Sequence, residues 1–212
     1  MRRFRVMAIS LLMVMGLVLG GCETMETVGP AQVAGPAKPP VVKLDRVEVN
    51  HIQPFFIAPR IDFKDCNNPG KVGGYGYTST LSLAYVFHIQ NPNSFPMMLD
   101  ELRFTAAFED FDVNMPTAYE DQWIPPGKTN ELRVVVVQEA QATIANLLVG
   151  GLAADRIKKM GVKQADLVKK WWDTVGDMGF PIQVKNGVAV FQTPDGKSIQ
   201  STFQGVFPKP QK

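Results

Sequence analysis

The strongest pattern in the chain is an alternation of apolar and polar positions that begins at residue 81. Successive side chains of a β-strand point to opposite faces, so a period of two predicts a half-buried strand. The apolar members occupy every second position: Leu81, Leu83, Tyr85, Phe87 and Ile89. Asn91, Pro92 and Asn93 then end the strand, because proline has no N–H for a ladder and asparagine satisfies backbone groups in turns.

A second alternating run follows this turn, and it predicts a second strand. Its apolar face consists of Leu102, Phe104, Ala106 and Phe108. Glu109, Asp110 and Phe111 are expected to turn a hairpin, after which residues 112–115 pair back. The unit of strand, Asn-Pro-Asn turn and strand is therefore the centre of the predicted domain.

Strands are also predicted at both ends of the domain. They cover Val41 to Ile52, Glu131 to Val137, Ile182 to Gln192 and Ser198 to Phe207. The third of these contains Asn186-Gly187, which indicates a second tight turn or a bulge, and Pro194-Asp195-Gly196 makes the last hairpin. Four consecutive valines at 134–137 predict burial on both faces. Residues 54–61 are apolar but irregular, and the Gly-rich segment from Asp65 to Tyr77 is expected to be a loop.

Apolar spacing changes from period two to a helical period after residue 139. Residues 140–149 form one predicted helix, and Gly150-Gly151 interrupts it. A second helix is predicted from Val162 to Met178, where one apolar stripe includes Trp171 and Trp172. These two tryptophans either plug an open end of the sheets or contact a membrane surface or ligand groove, since Trp is favoured at the water–lipid interface.

At these residues the chain resembles a known family. The strand ending in Asn91-Pro92-Asn93, the following Phe95, and the turn from Trp123 to Gly127 are similar to the group 2 late-embryogenesis-abundant domain, also called the water-stress and hypersensitive-response (WHy) domain. The resemblance covers roughly Leu44 to Pro208. It implies an antiparallel β-sandwich similar to a fibronectin type III domain, with no catalytic residues. With the helical spacing, the expected fold is mainly β, with a helical insertion at about 140–178 before the last hairpin.

The N-terminus has the features of a processed leader. A basic segment, Met1 to Arg5, precedes an apolar stretch that is shorter than the ~20 residues needed to span a bilayer, which is typical of a signal peptide. Leu19-Gly20-Gly21-Cys22 resembles a bacterial lipobox, which implies a mature N-terminus at acylated Cys22. The alternative is an ordinary signal peptide that ends before a cysteine. The leader holds three arginines, so the processed chain would be near neutral, which argues against nucleic-acid binding.

Residues 23–40 predict a disordered tether, because they are rich in Pro, Ala and Gly and show no apolar period. Domain boundaries are therefore expected at 1–21 for the signal peptide, 22–40 for the lipidated cysteine and tether, and 41–212 for the sandwich. Two or more acyl chains anchor a protein stably without spanning the membrane. Glu23 is not the aspartate that favours inner-membrane retention in enterobacterial lipoproteins, so the expected location is the periplasmic side of the outer membrane.

Few residues suggest chemistry. Cys66 is expected to be a buried free thiol, with an intermolecular disulfide or redox site as the alternative. His51 and His88 are the only histidines and do not form a metal-ligand cluster. The acidic knot of Glu109, Asp110 and Asp112 predicts a solvated turn rather than a calcium loop. Gly70-Lys71 lacks the spacing of a phosphate-binding loop, and no Gly-x-Ser-x-Gly sequence occurs. No cofactor is expected, and the protein is not expected to be an enzyme.

Three functions are consistent with these features. The first is a lipid-anchored, stress-related module that binds or protects client proteins in the cell envelope, as the family resemblance implies. The second is a lipid-handling protein whose groove would be guarded by Trp171 and Trp172. The third is a structural adaptor in an envelope complex.

Overall fold

The computed structural model describes residues 35–61, 72–149 and 151–209. Ten strands and three helices lie in this part of the chain. The strands are β1 (Val41–Ile52), β2 (Ile57–Ile61), β3 (Val72–Tyr77), β4 (Thr80–Gln90), β5 (Met97–Phe108), β6 (Phe111–Asn114), β7 (Thr117–Ile124), β8 (Thr129–Glu139), β9 (Ile182–Gln192) and β10 (Ser198–Phe207). The helices are α1 (Ala140–Val149), α2 (Gly151–Met160) and α3 (Gln164–Thr174), and a 3-10 turn follows at Val175–Asp177.

Eight of the ten strands form two antiparallel sheets that face each other, so the predicted β-sandwich is confirmed. One sheet has the order β1-β4-β8, and the other has the order β10-β9-β5, with β6 and β7 both pairing with the outer side of β5. The two strands predicted to be the centre of the domain, β4 and β5, are central in the two sheets. The helical segment lies between β8 and β9, before the last hairpin, as predicted.

The core lies between the two sheets and is rich in aromatic rings. Phe87 of β4 packs edge to face with Phe104 of β5 and Phe203 of β10, with ring centroids 5.3 Å apart in both pairs. Along one side of the sandwich β1 packs against β10, where Gly205 lies so close to Leu44 that an added Cβ would sit 2.6 Å from the Leu44 Cβ. That side is therefore closed.

The ends of β4 define the two ends of the molecule. The helical segment starts beside its first residue, because the Ala140 amide donates to the Ser79 carbonyl at 2.9 Å. Asn91 follows its last residue. A strand of this length spans roughly 35 Å at about 3.3 Å per residue, so the Asn-Pro-Asn turn and the helices occupy opposite ends. We call them the tether end and the helical end.

Several local predictions need correction. The four valines of β8 are not buried on both faces: Val134 and Val136 point inward, whereas Val135 and Val137 are 50% and 62% exposed. Strict alternation along an edge strand explains this, since only one face meets the opposite sheet. The irregular segment and the end of the Gly-rich segment pair as the β2–β3 hairpin, so residues 72–77 are not a loop.

The helical prediction was right in position but too simple. The helix expected over 162–178 is α3, and it ends at Thr174 before the 3-10 turn. A separate helix, α2, occupies residues that the sequence pattern left unassigned. In β9 the second of the two alternatives holds: the register against both neighbouring strands slips by one residue beside Asn186, which adopts φ 50°, so the feature is a bulge.

Candidate functional site

The tether end is organised by the buried side chain of Asn91. Its Nδ2 group donates to the carbonyl oxygens of Phe95 at 2.8 Å, Ile124 at 3.0 Å and Pro125 at 3.3 Å. Its Oδ1 accepts from both the backbone amide and the side-chain Nδ2 of Asn93 at 3.0 Å. One carboxamide thus ties the turn after β4 to the turn after β7.

Asn93 fixes the segment that leads into β1. Its Oδ1 accepts from the Lys38 amide at 2.7 Å, and its Nδ2 donates to the Lys38 carbonyl at 2.9 Å. The Ser201 hydroxyl donates to the carbonyl of Pro40 two residues later. Pro92 lies between the two asparagines and is exposed. Residues 38 and 40, at the end of the expected tether, are therefore bound to the sandwich.

The helical end has a charged turn at its centre. Glu109 and Asp110 join β5 to β6 with φ values of 46° and 73°. Consecutive positive φ values are typical of a type I′ hairpin turn, which usually contains Asn and Gly because other side chains are strained there. Here side-chain contacts hold the conformation: the Glu109 carboxylate accepts from Trp171 Nε1 at 2.9 Å and from Lys170 Nζ at 2.6 Å.

These contacts set the charge of the turn. Partial burial acts to raise the pKa of Glu109, but the hydrogen bonds from Lys170 and Trp171 and the nearby positive charges outweigh it, so the pKa lies below its ordinary value. The ion pair with Lys185 lowers the pKa of Asp110, and Arg156 adds to this effect. The carboxylates of the acidic knot are thus paired with side-chain cations rather than arranged as a metal site.

The two tryptophans are part of the core at this end. Trp171 is fully buried, and its ring lies 5.5 Å from Phe108, 5.9 Å from Phe111 and 6.2 Å from Phe180. Trp172 is 2% exposed, and its Nε1 group has no hydrogen-bond partner. Of the two interpretations offered by the sequence, the plug describes this placement. The surface contact does not, because neither ring reaches the surface.

An open groove runs along β6 at the helical end. Its outer part, about 540 Å³, is lined by residues of β6 and α1 together with Met115. Its inner part, about 340 Å³, extends to the end of β8 and shares Val113, Asn114 and Asn146 with the outer part. Gln138 lines the inner part; its side chain is buried, and neither amide atom has a hydrogen-bond partner.

Large apolar side chains are exposed beside this groove. Val149 and Met115 line its outer part and are 86% and 78% exposed. Leu152 follows at the start of α2 and is 91% exposed. Isolated exposed apolar residues are normal, but several at one corner indicate an interaction surface.

The remaining candidates do not converge on a reactive centre. His88 is exposed, with its ring nitrogens 3.9 Å from Asp45 and 3.7 Å from Glu131, and His51 is exposed on β1. Among the described residues no group of three or more His, Cys, Asp or Glu side chains could hold a metal ion. No described helix is long and apolar enough to cross a membrane. Cys22, Glu23 and Cys66 lie outside the described residues.

The sequence analysis missed the groove, although one signal for it was present. Along β8 the inward positions are Leu132, Val134, Val136 and Gln138. A glutamine that continues an inward apolar series is a buried polar group, and such groups normally have partners. The break in this series could have marked Gln138 as a binding residue.

No protein-family model and no curated protein matches the chain. Among solved structures, a structural-genomics target is similar at 10% identity, covering 80% of this chain and 87% of that one, with a TM-score of 0.41. A solution structure from Arabidopsis thaliana has 9% identity, coverage of 85% and 86%, and a TM-score of 0.42. A protein from Archaeoglobus fulgidus has 8% identity, coverage of 76% and 100%, and a TM-score of 0.33. All three TM-scores lie below 0.5.

Proposed function

We propose that the protein is a non-catalytic lipoprotein of the bacterial cell envelope, anchored through an acylated Cys22 and built on a sandwich of the group 2 late-embryogenesis-abundant type. Its role is to bind or protect other envelope proteins under water stress. The proposed location is the periplasmic side of the outer membrane, and the partners are the membrane, through the anchor, and client proteins.

One observation carries this proposal. A lipobox-like sequence, Leu19 to Cys22, stands before a Pro- and Gly-rich segment, and Asn93 binds the backbone of Lys38 near the end of that segment. At about 3.1 Å per residue, the chain from Cys22 to Lys38 reaches about 50 Å when extended. An anchored domain would therefore lie within about this distance of the membrane.

Intact-mass spectrometry of the protein from bacterial membranes tests the anchor. We expect a chain that begins at Cys22 and carries added acyl mass, and we expect the Cys22→Ser variant to lack that mass and to appear in the soluble fraction. An unmodified, soluble wild-type chain would contradict the anchor.

The protective role has a separate test, which uses the Cys22→Ser chain so that acylation does not interfere. We expect this chain to reduce light scattering by a heated or dried test enzyme at equimolar concentration. A β-sandwich protein of similar size and charge is the control. Equal scattering with both proteins would remove support for protection and leave the binding role.

The lipid-handling alternative assigns Trp171 and Trp172 to guard a groove, and both side chains are buried. Organic extraction of the purified Cys22→Ser chain decides it: recovered phospholipid in a fixed molar ratio would restore lipid handling, and its absence would end that alternative.

A further inference from the structure

The two sheets are joined unequally along the side that carries β6, β7 and β8. Near the tether end the side is closed, because Gln122 Nε2 donates to the Glu131 carbonyl at 3.3 Å and Asn130 Nδ2 donates to the Trp123 carbonyl at 3.1 Å. Near the helical end β6 and β8 separate, and α1 lies between them. The groove described above is this gap.

The gap exposes backbone hydrogen-bonding groups. Among the described strands, β6 pairs only with β5, so its other edge faces the groove. The unpaired N–H and C=O groups of an edge strand are a template for another extended chain. A strand added there would lie along β6, in the groove bordered by α1 and the end of β8.

The lining of the groove offers amide groups. Asn114, Gln138 and Asn146 line it, and both amide atoms of Gln138 lack a partner. A carboxamide has one accepting and one donating end, which match the donor and acceptor of a peptide bond. An unpaired buried amide raises the free energy of the free protein. A ligand that pairs with this amide therefore binds more tightly than one that does not.

The two ends of the groove differ in character. Met115 and Val149 make the outer end apolar and strongly exposed, whereas the acidic residue Glu139 lines the inner end together with Gln138. A ligand that spans the groove therefore needs an apolar group at one end and a positive charge at the other. A flat lipid surface would meet Val149 but would not enter the gap.

We propose that this groove binds an extended peptide segment of a partner protein, which adds as a strand to the free edge of β6, pairs with Gln138, and places an apolar side chain on Met115 and Val149 and a basic side chain near Glu139. This inference names a partner class for the binding role proposed above. It does not depend on the membrane anchor, and its test uses the Cys22→Ser chain, so either proposal can fail alone.

The experiment is an NMR titration of the isotope-labelled Cys22→Ser chain with the acetylated, amidated peptide Val-Thr-Val-Thr-Lys at millimolar concentration. We expect saturable shifts at Asp112, Val113 and Asn146, with slowed amide exchange in β6. A peptide with proline in place of the central valine removes a backbone donor, and one with glutamate in place of lysine reverses the charge. Both should bind at least about tenfold more weakly, the loss that corresponds to about 1.4 kcal/mol.

Two matched pairs of variants separate binding from folding. Ala142→Trp fills the groove from an exposed position of α1 and should abolish the shifts, whereas Ala145→Trp changes an exposed alanine of the same helix outside the groove and should leave them intact. Gln138→Met should weaken binding without lowering thermal stability, because it removes an unpartnered amide. Gln204→Met makes the same change at an exposed site on β10 and should alter neither property.

Three results would overturn the proposal. The first is the absence of saturable shifts up to the solubility limit of the peptide. The second is equal binding of the proline peptide, which would exclude strand addition. The third is a set of saturable shifts at the groove residues that appears on self-association or on addition of anionic phospholipid vesicles but not on addition of peptide. Self-association would assign the surface to a second copy of the chain, and a response to vesicles would assign it to a membrane.

Discussion

The two ends of the sandwich stabilise their loops by opposite means. At the tether end, neutral carboxamides are buried, and Asn91 has partners on both its oxygen and its nitrogen. At the helical end, the turn at Glu109 is held by ion pairs that remain partly exposed, and the buried amide of Gln138 has no hydrogen-bond partner among the described residues. The two ends therefore differ in the charge of the groups that hold their loops and in whether their buried amides are hydrogen-bonded.

This difference indicates that the two ends have different roles, one in stability and the other in binding. A buried, fully paired network costs free energy when any member is removed, and neither salt nor pH within the physiological range alters it. Exposed ion pairs contribute little and weaken with salt. We infer that the tether end serves the stability of the fold, whereas the proposed peptide groove lies at the helical end.

The largest effect should come from Asn91→Ala. This change removes the donor to the Phe95 and Ile124 carbonyls and the acceptor for Asn93, leaving buried polar groups unpaired. We expect a loss of about 3 kcal/mol in the free energy of unfolding, measured by urea denaturation. Asn130→Ala is the control, because Asn130 makes one bond, to Trp123, near the surface. Equal losses in both variants would show that the Asn91 network contributes no more to the free energy of unfolding than a single hydrogen bond near the surface.

The next effect tests the helical end with Trp171→Phe. Phenylalanine keeps an aromatic ring among Phe108 and Phe180 but loses the hydrogen bond to the Glu109 carboxylate. The lost charge-assisted bond and the small cavity should together cost about 2 kcal/mol. Trp123→Phe, at a half-exposed position, should cost well under that. If the two changes have the same effect on the urea midpoint, the Glu109 contact does not stabilise the helical end.

The comparison also shows what a sequence can reveal. Alternation located β4 and β5 because a sandwich strand buries one face, and the turn at Asn91 was visible because proline and asparagine have local effects that need no tertiary context. The hairpin of β9 and β10 was found for the same reason. The side-chain partners of Asn91 lie up to 34 residues away, and such pairings depend on the assembled fold, so they could not be read from the chain.

The missed features have a common cause. The β2–β3 hairpin contains several glycines, and α2 buries a single residue, Ile157, so neither carries a strong apolar period. The opposite error occurred at Val134 to Val137, where composition suggested two buried faces although β8 is an edge strand. Neighbours decide whether a strand is central or at an edge, and composition alone does not.

A smaller effect is expected from pH. The folded-state pKa of Glu109 lies below its ordinary value of about 4.5, so its ion pairs stabilise the fold fully above that value and lose this contribution as the pH falls through the folded pKa. We expect the Glu109→Gln variant to be less stable than the wild type by about 1 kcal/mol at pH 7, with the difference shrinking towards pH 3. Urea denaturation at several pH values measures this. A difference that stays constant with pH would exclude an electrostatic origin.

The smallest effect should come from Asp173→Asn on the exposed face of α3. Asp173 pairs with Lys169 one helical turn away, and both side chains are about half exposed. Such a pair is worth about 0.3 to 0.5 kcal/mol and is screened by salt, so the variant should differ from the wild type only at low ionic strength. Unfolding curves measured without added salt and with about 0.5 M salt, which screens surface ion pairs, check this. A loss as large as that of Trp171→Phe would mean that surface charge, rather than the buried Glu109 contact, holds the helices against the sandwich.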